Sequence, residues 1–77
     1  MSKYLHEVFF SHSTVAMHFR TSLMDCFNIV PTMTTYNIGD EEEYFKVSFI
    51  EHFTREQVLS LLNNCDYDYD DVITTEK

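Results

Sequence analysis

The chain has 77 residues, thirteen of them acidic and five basic, for a formal net charge of −8. That excess excludes direct binding of DNA, RNA or an anionic membrane, each of which needs Lys and Arg to replace counterions. It favours a basic partner, or plain solubility. One domain, 1–77, is the most this length supports, and so short a chain buries only roughly 60% of its unfolded surface. Seven Phe and five Tyr still provide a core, which disordered chains lack.

Residues 4–10 are aromatic and β-prone and predict a strand. Tyr4, His6, Val8 and Phe10 face inward in this reading, and Leu5, Glu7 and Phe9 face out. Ser11, His12, Ser13 and Thr14 follow, with hydroxyls suited to capping a helix. Val15, Ala16, Phe19, Leu23 and Phe27 recur at three- and four-residue spacing, one apolar stripe on a helix over 14–27.

The stretch 30–38 is rich in β-branched and aromatic residues and predicts a second strand. Pro31 at its start suits an edge, because proline donates nothing to a ladder. Gly39 and Asp40 supply a turn. Residues 44–50 alternate Phe45, Val47 and Phe49 against Tyr44, Lys46, Ser48 and Ile50. Strands two and three thus form a hairpin with Asp40, Glu41, Glu42 and Glu43 at its tip.

Thr54 and Gln57 form a capping box, and Phe53 before the cap is placed to pack on Val58. Val58, Leu61, Leu62 and Cys65 complete a helical stripe. Asn63 and Asn64 read as its stop, since Asn tolerates the left-handed conformation. Residues 67–75 alternate with period two and end in a Val-Ile-Thr-Thr run, which favours a fourth strand; their Asp content suits a loose tail as the alternative.

The order β-α-β-β-α-β predicts a ferredoxin-like α+β domain. In it, two right-handed crossovers put both helices on one face of an antiparallel sheet of order 4-1-3-2. The two most apolar strands, first and third, take the centre. The strands bearing Pro31 and the Asp residues take the edges, where both features discourage edge-to-edge association. The fold by itself assigns no function.

No nucleophile–base motif, glycine-rich phosphate loop or metal signature is present, so the reading is of a protein that acts by binding and not as an enzyme. His6, His12, His18, His52, Cys26 and Cys65 are scattered without ligand spacing, so no metal or other cofactor is expected. Asp66, Asp68 and Asp70 have the first three spacings of a calcium loop, but Asp71 stands where Gly is needed and Lys77 where Glu is needed. Cys26 and Cys65 look like small core hydrophobes. Two cysteines, no signal-peptide pattern and no apolar span of ~20 residues predict a cytoplasmic protein with reduced thiols.

Nine of the thirteen acids fall in two places: Asp40 to Glu43, and Asp66, Asp68, Asp70, Asp71 and Glu76. On an extended strand, Asp66, Asp68 and Asp70 would stand ~6.8 Å apart on one face, a row of carboxylates able to occupy a groove built for nucleic acid. The plain alternative is a solvated loop and a solubilising tail. Leu5, Phe9, Tyr44 and Ile50 lie on the predicted outer sheet face, and such an apolar patch marks a protein interface; a homodimer is its simplest form.

In size and charge the chain resembles small acidic proteins that viruses of bacteria make to block host nucleic-acid-binding machinery. No motif carries that resemblance. It implies an inhibitor that mimics nucleic acid and occupies a basic groove of a host nucleic-acid-binding protein. The alternative is a homodimeric interaction or regulatory module whose acids only confer solubility.

Overall fold

The structure, a computed structural model, describes residues 3–77. Its elements are β1 (Tyr4–Phe10), α1 (Ser13–Phe27), β2 (Thr32–Tyr36), β3 (Tyr44–Glu51), α2 (Arg55–Asn64) and β4 (Asp71–Glu76). The four strands form one antiparallel sheet of order β2-β3-β1-β4. The chain is a small α+β domain with the expected element order and the expected central and edge strands.

The alternation seen in the sequence decides which face is buried. His6, Val8 and Phe10 on β1, Phe45, Val47 and Phe49 on β3, and Val72 on β4 point to the helices. Ala16, Phe19 and Leu23 from α1 and Val58 and Leu62 from α2 close the same core. Phe19 is at its centre: its ring lies 5.5 Å from that of Phe10, 6.2 Å from Phe49 and 5.7 Å from Tyr67. Burying such a side chain stabilises by about 1.5–3 kcal/mol.

His6 is the one buried polar side chain among the described residues. Its Nε2 lies 2.7 Å from the Phe53 carbonyl and its Nδ1 2.9 Å from Thr74 Oγ1. A carbonyl only accepts, so Nε2 carries the proton, and Nδ1 accepts from the Thr74 hydroxyl. The ring therefore ties β1 to β4 and to the loop before α2. Burial pushes its pKa below the ordinary 6.5, against the opposing pull of the Phe53 hydrogen bond.

The capping box of α2 is present. Gln57 N donates to Thr54 Oγ1 at 3.3 Å, and Thr54 N donates to Gln57 Oε1 at 2.8 Å. The start of α1 differs from expectation. His12 is its N-cap and makes no side-chain cap bond, and the Ser11 hydroxyl before it donates to the Asp70 carboxylate. At the other end Asn28, at φ 57, closes α1 in the left-handed conformation.

Several sequence expectations are corrected. The second strand covers Thr32–Tyr36 and not 30–38; Val30 and Ile38 are 82% and 79% exposed. Phe27 ends the α1 stripe half exposed, edge-on to Phe53 at 5.6 Å. Cys26 and Cys65 are exposed and not core residues: Cys26 sits in the last turn of α1, beyond Leu23, the last buried residue of that helix, and Cys65 has passed the end of α2. That helix is stopped not by a left-handed Asn but by Asp66, whose φ is 60.

Residues 67–70 are not strand, so the fourth strand begins four residues later than expected. The register gives the reason. Asp71 pairs with Phe9, Asp70 N still donates to the Phe9 carbonyl at 2.8 Å, and β1 ends at Phe10, so residues 67–69 have no strand to pair with. Tyr67 instead reaches α1, where its hydroxyl shares a 2.6 Å hydrogen bond with Ser22 Oγ and donates to the His18 carbonyl at 3.4 Å.

Candidate interaction surface

The topology brings the two acidic clusters together. Phe10 pairs with Phe45, Phe9 with Asp71, and Tyr36 with Tyr44. The starts of β3 and β4 and the ends of β1 and β2 thus share one end of the sheet. The hairpin tip at Asp40–Glu43 extends from the start of β3, and Asp66, Asp68, Asp70 and Asp71 lead into β4. Because β1 alone separates β3 from β4, the clusters emerge about two strand spacings, ~10 Å, apart. Lys3 and Lys77 lie at the opposite end, where Lys77 N donates to the Lys3 carbonyl at 2.8 Å.

Four of these eight acids are engaged in hydrogen bonds within the fold. Asp40 accepts from Glu42 N at 3.2 Å and Glu43 from Gly39 N at 3.1 Å. Asp70 accepts from the Ser11 hydroxyl, and Asp71 from Val72 N at 2.8 Å. Gly39 sits at φ 81, a conformation that glycine adopts freely. Glu41, Glu42, Asp66 and Asp68 are exposed, and their carboxylates take no part in these bonds.

The expected row of Asp66, Asp68 and Asp70 on a paired strand is not formed. Asp66 is in a left-handed turn and Asp70 is tied to Ser11. The alternation survives in weaker form, with Asp66, Asp68 and Asp70 exposed while Tyr67 and Tyr69 pack on the core.

The helices cover one face of the sheet, and Leu5, Phe9, Tyr44 and Ile50 all lie on the other, as expected. The register divides them. Leu5 and Ile50 are a cross-strand pair at the end away from the acidic clusters. Phe9 and Tyr44 are neighbours at the acidic end, with ring centroids 6.1 Å apart. Between the pairs stands an ion pair, Lys46 Nζ to Glu7 Oε2 at 3.2 Å. Hydrogen bonds to Tyr36 first and to Glu7 second hold the Lys46 ammonium above its ordinary range.

Tyr36 is the residue that the sequence reading missed. Its ring stacks on Tyr44 at 4.6 Å with an interplanar angle of 11°, and Lys46 Nζ lies 5.5 Å from its centroid. Tyr36, Tyr44 and Phe9 form an aromatic row across β2, β3 and β1. A seven-residue connection from 37 to 43, in place of a tight turn at Gly39 and Asp40, would have set Tyr36 opposite Tyr44. Ile73 on β4, 45% exposed, adds to the same face, since its register partner is the outward Glu7.

One apolar cleft of about 220 Å³ opens at the end away from the acids, lined by Phe27, Phe49, Phe53, Gln57, Val58 and Leu61. Its polar lining residue is Gln57, whose side-chain oxygen the capping box already occupies. Among the described residues no group of three His, Cys, Asp or Glu side chains stands together to hold a metal ion, and no helix is long and apolar enough to cross a membrane. The acidic end and the outer sheet face are therefore the features that distinguish the surface. No protein-family model, curated protein or solved structure matches the chain.

Proposed function

We propose that this chain is a binding protein, without catalytic activity, that presents its acidic end to a basic surface of another protein. Its topology agrees with the ferredoxin-like arrangement, used here as a scaffold. The observation that carries the reading is the gathering of eight acids from two separate segments at one end of the sheet. Four of them are engaged in hydrogen bonds within the fold, and four remain for a partner. Held together, such charges keep their effect at physiological salt, where scattered ones are screened over ~8 Å.

A surface of this sign fits a groove that otherwise takes nucleic acid, so the partner class is a nucleic-acid-binding host factor and the action is inhibition by occupancy. The irregular path of residues 66–70 makes the mimicry one of charge density and not of phosphate spacing. A cytosolic setting, with Cys26 and Cys65 reduced, belongs to this reading.

The experiment immobilises the chain, exposes it to cell lysate and elutes bound protein with rising salt or with duplex DNA. Captured protein should leave with either eluent. A chain carrying Glu41→Gln, Glu42→Gln, Asp66→Asn and Asp68→Asn should capture none of it. Equal capture by that variant, resistant to salt and DNA, would overturn the proposal.

A further inference from the structure

The outer sheet face has a chemistry that the acidic end alone does not explain. Both helices are on the other side, and this face presents the Tyr36–Tyr44–Phe9 row, the Leu5–Ile50 pair and Ile73. We propose that it is the docking surface for an arginine-bearing segment of a basic partner protein, with the acidic end as its rim. The inference rests on the reading above and names the side chain that this surface takes.

Charge complementarity selects the occupant. Aromatic faces attract cations, and this row borders Asp71 and the Asp40–Glu43 tip. The face already holds one cation: Lys46 Nζ stands 5.5 Å from the Tyr36 centroid and 3.2 Å from Glu7. Lys46 is the basic side chain beside the row, and Glu7 offsets it; Lys3 and Lys77 stand at the far end of the sheet. An incoming cation therefore meets aromatic surface and carboxylates with little opposing charge. Arginine suits the site better than lysine, because its planar guanidinium stacks on rings and pairs with carboxylates through two parallel hydrogen bonds.

A second copy fits less well. Four strands at ~4.8 Å and about seven residues at ~3.4 Å give a face of roughly 450 Å². A stable interface takes about 800 Å² from each partner, and a second copy would bring another net charge of −8. Single strands of nucleic acid also stack on aromatic rows, but their phosphates would meet the acidic rim.

The test uses the full chain, titrated by calorimetry and amide NMR with two synthetic peptides of equal length and charge. In one the cations are arginine, and in the other lysine. The arginine peptide should bind roughly tenfold tighter and shift the amides of β2, β3 and β1 on the row. Tyr44→Ala should erase that preference, and Tyr44→Leu, which keeps an apolar side chain on the strand, separates the loss from any loss of folding. Lys46→Gln should tighten the arginine peptide by removing the resident cation.

Equal binding of the two peptides, unchanged by Tyr44→Leu but abolished by neutralising Glu41, Glu42, Asp66 and Asp68, would overturn the docking surface and leave the acidic-end reading standing. A dimer in light scattering that Phe9→Lys dissolves would overturn it in favour of a second copy. Tight binding of a single-stranded oligonucleotide to the row would overturn it as well.

Discussion

His6 donates from Nε2 to the carbonyl of Phe53 across 2.7 Å of the interior, so a titratable ring on the central strand β1 is what fixes the approach to α2. Burial lowers its pKa from 6.5. Above pH 6.5 the ring is neutral in both folded and unfolded chains, and its contribution to stability is complete. As pH falls, the unfolded chain takes up a proton that the folded chain refuses, and stability declines until the depressed folded pKa is passed. The melting temperature should therefore drop as pH falls through 6.5, and that slope should flatten in His6→Leu. The same variant strands the Phe53 carbonyl and should cost about 1–3 kcal/mol at neutral pH in urea unfolding.

The last strand is integral to the fold. β4 pairs with β1 from Tyr4–Glu76 to Phe9–Asp71 and buries Val72. A chain ending at Asn64 should show no cooperative melting transition. Tyr67→Phe removes the hydroxyl shared with Ser22 and His18 and should cost about 1 kcal/mol. An unaltered urea midpoint would show that this link contributes nothing.

The eight acids at one end should divide into two groups in stability measurements. Neutralising Glu41, Glu42, Asp66 and Asp68 should leave the melting temperature unchanged at high salt and raise it by a few degrees at low salt, as like-charge repulsion is relieved. Asp70→Ala, which releases the Ser11 hydroxyl, should lower stability by about 1 kcal/mol at either salt concentration.

Cys26 and Cys65 are both exposed, and they lie at opposite ends of the helical layer. The helices run antiparallel, and α2 alone is about 15 Å long. A disulfide needs its Cα atoms within ~7 Å. Both thiols should react with a colorimetric thiol reagent in the native protein, and mild oxidation should yield cross-linked dimers with no internal bridge on non-reducing gels.

What the sequence made legible were the elements governed by local rules. β3 follows from strict alternation through Phe45, Val47 and Phe49, and α2 from the Thr54–Gln57 box. The buried face of β1 followed from refusing to bury Glu7. What it hid depended on register. The start of β4 is set by where β1 ends, which no window around Asp71 reveals. The exposure of Cys65 depends on the left-handed Asp66 that ends α2. Tyr36 joined the surface only once the length of the 37–43 connection was known. The acids were visible as two clusters, but their meeting at one end is a property of strand order alone.

That meeting also makes the molecule an electric dipole. Its negative pole is the end carrying the hairpin tip and the approach to β4, while at the other end Lys3 and Lys77 are matched by Glu51 and Glu76. Near a cationic body such an object feels a torque as well as an attraction, so it arrives already turned with its acidic end leading. Fewer encounters are wasted on the wrong orientation. The gain is in the speed of association, and it depends on where the charges stand more than on how many there are.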